Sequence, residues 1–320
     1  MSPNTAPTIY EHLVRAAATS PEAIATFAAW KPAWAGMAAA WSAPIDRALA
    51  GGLAADRPSW AFASGYQAAI QHLMPPTSTG EVAALCITEQ GLPHPARIEC
   101  RLTPDANESS AWCVEGAKSF VTGASSADAL WVAASTGLGP DGRNQIRMVR
   151  VAADDPAVHI EPRPALGIVP EVPHARVRFA SVQVSASALA PGDGYVQIVK
   201  PFRTLEDLYV SAAFAAWLFG VGRRAGWPHD TLQSLLACIS GARGLAQASP
   251  SAPGTHIALE GLLRHFADLL AHLDPLFDRV EASLRHAWAR DRAVLDIAHA
   301  AREARIQRAW QQVESGGDIA

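Results

Sequence analysis

The sequence predicts an α+β protein in three parts: a helical N-terminal domain at 1–76, a central antiparallel β-barrel at 77–194 and a C-terminal helix bundle at 195–320. Alanine-rich segments with helical periodicity fill the first part, and a Pro-Pro-Thr-Ser-Thr-Gly linker at 75–80 ends it. Short β-rich runs follow, and the helical period returns near residue 196. A chain of 320 residues, 49% of them apolar, can bury a core of this size.

Apolar residues in the first part recur every three or four positions, as Ile9, Leu13 and Ala16 do. This spacing is typical of an amphipathic helix. Ser-Pro-Glu at 20–22 and Ser-Ala-Pro at 42–44 are possible helix starts, because proline is tolerated where its missing N–H has no intrahelical partner. We therefore expect a short, all-helical domain.

The central part contains short runs rich in β-branched and apolar residues. The predicted strands lie at 82–88, 96–102, 110–114, 130–134 and 146–151. Turn residues separate the runs at Gly116, at 137–142 and at 154–156. This spacing fits an antiparallel barrel or sandwich of about seven strands.

Helical periodicity fills the last part of the chain. The predicted helices lie at 205–221, 231–245, 257–273, 275–288 and 290–313. The third helix carries an apolar stripe from Leu259 to Leu273 with i, i+3, i+4, i+7 spacing. Such a stripe is what a helix bundle or an oligomer interface requires.

Composition excludes several classes of function. A net charge of −4, with no basic stripe, argues against nucleic-acid binding. The four cysteines have no C-x-x-C spacing and are expected to be buried, reduced thiols, so no metal site is predicted. No apolar run approaches the ~20 residues that span a bilayer, and residues 1–4 do not resemble a signal peptide. We expect a cytoplasmic protein without a membrane partner.

Two segments carry the clearest chemical signal: Leu-Cys-Ile-Thr-Glu-Gln-Gly at 85–91 and Trp-Cys-Val-Glu-Gly-Ala-Lys-Ser-Phe-Val-Thr-Gly-Ala at 112–124. Leu-Gly-Ile at 166–168 and a Phe-x-x-Val-x-Val strand at 179–184 follow in order. Together they resemble the acyl-CoA dehydrogenases, in which a Thr-Glu-Pro-Gly strand precedes a Gly-x-Lys-x-Trp/Phe-Ile/Val-Thr-Asn-Ala hairpin. The resemblance covers roughly 83–317 and implies that family's three-part fold.

The resemblance implies that FAD binds between the β domain and the C-terminal bundle. By motif position, Leu85 and Ile87 contact the flavin ring, and Thr88 hydrogen-bonds near its N5 or pyrimidine edge. Phe120 stacks against the ring, and Thr122 donates toward N5. A flavin that accepts a hydride needs a flat apolar face and a few fixed donors. The alternative interpretation is that these residues are ordinary strand hydroxyls and core side chains.

The reaction that the resemblance implies, α,β-dehydrogenation of an acyl-CoA thioester, needs a carboxylate base. Most family members place it beyond a Gln-x-x-Gly-Gly-x-Gly motif, of which 311–317 is a degenerate form. A branch that includes isovaleryl-type enzymes carries the base in a segment similar to 205–213, and an ungapped alignment puts Glu206 there. Asp207 is a weaker candidate. A glutamate early in a helix also stabilises the helix dipole, which is the alternative role.

Two functions follow. The first is an FAD-dependent oxidoreductase acting on the CH–CH bond of an acyl thioester. The second is a non-catalytic member of the fold, a scaffold or a subunit that completes a site with a partner chain. It is favoured by the short N-terminal domain, by the missing terminal base, and by His94 and Pro95, which stand where the family often has Ser and Asp. Either function implies an oligomer, a homo-oligomer or a hetero-oligomer with a second acyl-CoA dehydrogenase chain, because the family builds its flavin site at a subunit interface.

Overall fold

The computed structural model describes residues 8–89, 97–105 and 111–316, so the departure from the family motif at His94 and Pro95 lies outside the described residues. The N-terminal part contains helices α1 Ile9–Ala16, α2 Phe27–Ala40, α3 Pro44–Ala54 and α4 Pro58–Leu73. A proline begins α3, as the motif at 42–44 predicts. The start predicted at 20–22 is wrong, because α2 begins behind Thr26, whose hydroxyl accepts the Ala29 N–H.

The central part is a curled sheet. Its strands are β1 Ala83–Cys86, β2 Arg101–Pro104, β3 Ala111–Thr122, β4 Ala129–Leu138, β5 Asn144–Ala152, β6 Val158–Pro162 and β7 His174–Ser185. The strand order is β1-β4-β2-β3-β7-β6, and β5 pairs with the other side of β4. The long β3–β7 pair therefore lies near the middle of the sheet, with Thr122 in register opposite His174.

Two expectations about the sheet need correction. The sheet is mixed and not purely antiparallel, because β1 and β2 both pair with β4 in parallel. Gly116 lies inside β3 and not in a turn, since the strand runs through it with a φ of 141° and a register shift next to Val114. A Cβ at this position would lie 2.7 Å from the Cys100 Cα, so the close strand approach requires glycine.

The C-terminal part consists of helices around one long central helix. The helices are α5 Lys200–Ala225, α6 His229–Leu245, α7 Pro253–Leu273, α8 Ala282–Asp291 and α9 His299–Glu314. The helices predicted at 275–288 and 290–313 each begin with a separate 3-10 turn, at Asp274–Arg279 and at Arg292–Asp296. Pro275 accounts for the first interruption, because it has no N–H to continue the hydrogen bonds of α7.

Helix α5 forms the centre of the core. Gly52 of α3 and Gly65 of α4 meet it at backbone distance: a Cβ on Gly52 would lie 2.1 Å from the Ala213 carbonyl oxygen, and one on Gly65 would lie 2.6 Å from the Val210 Cα. These two glycines allow three helices to pack closely. A second apolar cluster fills the inside of the sheet.

The apolar stripe of α7 is buried within the chain. Leu259 and Leu273 are fully buried, and Leu263, Phe266 and Leu270 are at most 9% exposed. Helix α7 packs against α6 and α9. The stripe is therefore mainly bundle core, while Leu262 and Leu269 are half-buried, and the oligomer stays a prediction.

One segment, Tyr195–Ala225, is long and apolar enough to cross a membrane, by length and composition only. It comprises a π-helical turn followed by α5, and 94% of its most apolar window is buried inside the protein. Packing against α3, α4 and α6 accounts for this apolar character.

Candidate functional site

A cavity of about 290 Å³ lies where α4, β3, the loop before β7, α5 and the start of α9 meet. Its wall contains Phe120, Thr122 and Glu206, three of the residues that the sequence predicts for the site. Apolar side chains from 166–169 and 294–298 line the remaining wall. The flavin motif and the predicted base therefore share one cavity.

The end of β3 holds the two flavin-motif residues at this cavity. Thr122 is the last residue of the strand, and Gly123 follows with a φ of 75°, which terminates it. Phe120 is 38% exposed, and its ring lies 4.4 Å from the His174 ring, centroid to centroid. An aromatic surface and a hydroxyl thus stand side by side at the cavity.

His174 is a site residue that the sequence interpretation missed. It lines the cavity, is 6% exposed, and its Nδ1 has no hydrogen-bond partner among the described residues. Burial lowers its pKa to about 4, the Val172 backbone opposes this effect and the Arg163 charge adds to it, so the ring is neutral at pH 7. A neutral imidazole has one donor and one acceptor nitrogen. The histidine at the start of an apolar strand was the available signal.

Glu206 lies on α5 with its carboxyl group at the cavity wall. Burial raises its pKa to about 7, the negative charge of Asp207 adds to this effect, and Arg203 and Arg302 oppose it. The helix begins at Lys200, and its first turn contains no acidic residue. The helix-dipole role therefore loses its structural basis, because that effect is confined to the first turn.

Asp207 is engaged in the structure of the bundle. It is buried, and its two carboxylate oxygens accept hydrogen bonds from Arg302 at 2.9 Å and from Arg305 at 2.7 Å. Both arginines lie on α9 and are 13–14% exposed, so this is a mostly buried ion-pair cluster. Asp207 thus attaches α9 to α5, and Arg302 also reaches the cavity wall.

Tyr66 of α4 links several predicted residues. Its hydroxyl group lies near the Thr122 side chain, the Leu85 backbone N–H and the Glu206 carboxyl group. Burial, above all, and the negative charge of Glu206 raise the pKa of Tyr66, which therefore stays protonated. The sequence pattern suggested only a core position for Tyr66. A hydroxyl in an apolar stripe was the missed signal, since buried tyrosines usually have a hydrogen-bond partner.

The other three predicted flavin residues do not line the cavity. Leu85 is 4% exposed within β1, and Ile87 is partly buried against the same core. Thr88 is half-buried, and its backbone carbonyl accepts the Ser119 N–H at 2.8 Å. Flavin contact by these residues stays a prediction.

Lys118, the lysine of the second motif, joins the two motif segments. It is fully buried, and its Nζ donates to the Glu89 carboxylate at 2.7 Å and to the Ala133 carbonyl at 2.6 Å. A third bond reaches the Ile87 carbonyl at 3.3 Å. The buried ion pair is therefore well satisfied, which is the condition under which such a pair is tolerated.

No family model matches the sequence, and no curated protein sequence is significantly similar to it. Solved structures do match. Butyryl-CoA dehydrogenase from Megasphaera elsdenii aligns over 97% of this chain and 100% of its own, with a TM-score of 0.65 at 13% identity. The chain has the acyl-CoA dehydrogenase fold.

Two further structures agree with this assignment. PigA, solved with FAD and proline, has a TM-score of 0.65 at 15% identity over 97% of this chain and 99% of its own. A glutaryl-CoA dehydrogenase from Mycobacterium smegmatis, in complex with FADH2, has a TM-score of 0.60 at 13% identity over 88% and 86%. The acyl-CoA dehydrogenase fold predicted from the motifs is confirmed, in a divergent sequence.

Proposed function

We propose that this protein is an FAD-dependent oxidoreductase that dehydrogenates an acyl thioester between its α and β carbons, with Glu206 as the base. The observation that carries the proposal is the common cavity of Glu206, Phe120 and Thr122. Glu206 lies far along the chain from Phe120 and Thr122, and the fold brings the three residues together.

Glu206 has the properties that a base for an α-proton requires. With a pKa of about 7, it is both appreciably ionised at neutral pH and basic enough to take up a proton. Arg203 and Arg302 limit the effect of burial and keep the charged form accessible. Asp207 is already paired with two arginines, which makes it the poorer candidate.

The residues present at the cavity fit a flavin ring. Phe120 supplies an apolar aromatic surface, Thr122 a hydroxyl group, and His174 a buried ring nitrogen without a partner. Bound FAD supplies the acceptor for the hydride that leaves the β carbon. The Tyr66 hydroxyl group lies near the Thr122 side chain and assists by orienting it.

One observation favours the alternative of a subunit that completes its site with a partner chain. A cavity of about 290 Å³ is at the lower limit of ligand pockets and does not hold a flavin ring and an acyl group at once. In that alternative, a second acyl-CoA dehydrogenase chain or a second copy of this chain supplies the remaining wall.

The test begins with the visible spectrum of the purified protein after it is incubated with excess FAD and unbound FAD is removed. Retained flavin bands, and reduction of a dye acceptor with one or more acyl-CoA thioesters, support the enzyme. Glu206→Gln should then abolish turnover while flavin is retained, whereas Glu303→Gln, which removes an exposed carboxylate on α9, should not. Retained flavin without activity, restored by a co-purifying dehydrogenase chain, supports the partner alternative, and an unchanged rate for Glu206→Gln removes Glu206 from the mechanism.

A further inference from the structure

The loop between β6 and β7 holds a strained residue at the cavity. Val169 has a φ of 40°, in the left-handed region that a β-branched residue adopts only under constraint. It is 2% exposed, and together with Leu166 and Ile168 it lines the cavity. A backbone strained in this way persists only where the surrounding structure holds it.

Asp291, at the end of α8, supplies one such constraint. Its Oδ1 accepts the Val169 N–H at 2.8 Å, although the two residues are 122 positions apart in the chain. Asp291 is fully buried. Arg290 fixes its carboxylate, because the Arg290 Nε donates to Oδ1 and the Arg290 Nη2 donates to Oδ2, each at 2.7 Å. The acceptor of the Val169 N–H therefore has a defined position.

Glu171 supplies a second constraint, two residues beyond Val169. Its carboxylate accepts hydrogen bonds from Arg290 at 3.1 Å, from Arg57 at 3.4 Å and from the Ser59 hydroxyl. Arg57 precedes α4, and Ser59 lies in the first turn of that helix. The loop is therefore attached to α8 and to α4 within three residues.

Asp291 also stands next to another part of the cavity wall. The 3-10 turn Arg292–Asp296 follows it directly and contributes Val294 and Leu295 to the lining. The hydrogen bond to Val169 thus joins this turn to the loop. Both parts of the wall are apolar, as a surface that contacts an acyl chain requires.

We propose that Asp291 is a positioning residue that holds Val169 in its left-handed conformation and thereby sets the apolar wall against which the acyl group of the substrate lies. This inference rests on the proposed dehydrogenation of an acyl thioester. Asp291 does not itself line the cavity, so it acts through the loop and not by contact with the substrate.

The first experiment measures KM and kcat of the FAD-loaded full chain with butyryl-CoA, isovaleryl-CoA and octanoyl-CoA and a dye acceptor. Asp291→Ala should raise the KM for the preferred thioester about tenfold and reduce the discrimination among the three, because the wall is no longer fixed. The pH midpoint of kcat, which reports the ionisation of Glu206, should stay unchanged. Asp296→Ala is the matched control, because Asp296 is an exposed carboxylate of the next turn and does not line the cavity. It should change neither KM nor discrimination.

The second experiment needs neither substrate nor flavin. Urea unfolding measures how far Asp291→Ala lowers the midpoint, first in the unaltered protein and then in the Val169→Gly variant. Glycine adopts a positive φ without strain, so the loss of midpoint in the Val169→Gly background should be about half or less of that in the unaltered protein.

The outcomes separate this inference from the proposed function. Unchanged KM values and unchanged discrimination in Asp291→Ala overturn the positioning role while the dehydrogenase stands, and so does strict additivity with Val169→Gly. Absence of turnover in the unaltered protein overturns the proposed function and the role in acyl selectivity, and the urea series then decides whether Asp291 holds Val169. If Asp291→Ala does not fold, Asp291→Asn replaces it in both experiments, because it keeps the size of the side chain and removes the charge that Arg290 fixes.

Discussion

Gln67 and Ala83 are joined by two reciprocal hydrogen bonds: the Gln67 side-chain N–H donates to the Ala83 carbonyl at 2.7 Å, and the Ala83 N–H donates to the Gln67 side-chain oxygen at 3.0 Å. A side chain of α4 thereby provides hydrogen-bond partners for the backbone groups of β1 that point away from β4. The Gln71 side-chain N–H likewise donates to the Glu81 carbonyl at 3.1 Å. These bonds hold the start of β1 against α4.

Replacing Gln67 by methionine should lower the free energy of unfolding by about 2–5 kcal/mol, because it leaves two buried backbone groups without partners. Urea unfolding measures the change. Gln233→Met on α6 is the control, since Gln233 is exposed, and it should change stability by less than about 0.5 kcal/mol. Equal effects at the two sites would contradict the importance of the Gln67–Ala83 pair.

Removing the Tyr66 hydroxyl should weaken flavin binding, because Thr122 then loses the neighbouring hydroxyl group that orients it. Tyr66→Phe should raise the Kd for FAD several-fold and cost about 1 kcal/mol of stability. Tyr209→Phe is the control: Tyr209 is also buried and bonds to His72 at 2.7 Å, away from the cavity wall. It should cost similar stability and leave the Kd unchanged. A double-mutant cycle with Thr122→Val should show coupling, and strict additivity would argue against the Tyr66–Thr122 link.

The raised pKa of Glu206 predicts a pH dependence with a definite sign. The native state holds this proton up to a pH of about 7, whereas the ordinary value is 4.5, so the native state binds more protons in that interval. The resulting contribution to stability is fully present below pH 4.5 and is lost as the pH rises through about 7. The free energy of unfolding of the unaltered protein, measured at pH 4.5, 6 and 8, should therefore fall with rising pH relative to that of Glu206→Gln. The same pH dependence in both proteins would refute the raised pKa. The rate of dehydrogenation should rise over the same interval, because only the ionised form acts as a base.

Asp207→Asn should destabilise the protein by about 3–5 kcal/mol, because it leaves Arg302 and Arg305 as partly desolvated charges without a counterion. The midpoint of urea unfolding reports the loss. Asp278→Asn serves as the comparison: its pair with Arg285 is exposed and spans 3.7 Å, so its removal should cost at most about 1 kcal/mol. A small effect at Asp207 would show that α9 is held mainly by other contacts.

Gly65→Ala should push α4 away from α5, since the added Cβ would meet the Val210 Cα at 2.6 Å. We expect a loss of about 1–3 kcal/mol, as overpacked cores show. Gly244→Ala on α6 has open space around its Cβ and should instead be neutral or stabilising by about 0.5–1 kcal/mol. Thermal unfolding of both variants tests this, and similar melting temperatures would exclude a close helix contact at Gly65.

Local patterns predicted much of the fold. The helix beginning at Pro44 and the core strands of the flavin motif follow from proline position and side-chain periodicity, which are properties of neighbouring residues. Strand β6 was not predicted, because it is short, mostly exposed and ends in Pro162, so it has little periodicity. The 3-10 turns at 274–279 and 292–296 were likewise missed within otherwise helical patterns.

The sequence by itself determined the helical and strand segments, the motif carrying Phe120 and Thr122, and the position of Glu206 on a helix, because these depend on residue type and spacing along the chain. Only the tertiary structure decided that Glu206, Thr122 and His174 meet around one cavity. A pKa of about 7 for a glutamate requires burial and distant neighbours, and both arise when elements far apart in the chain pack together.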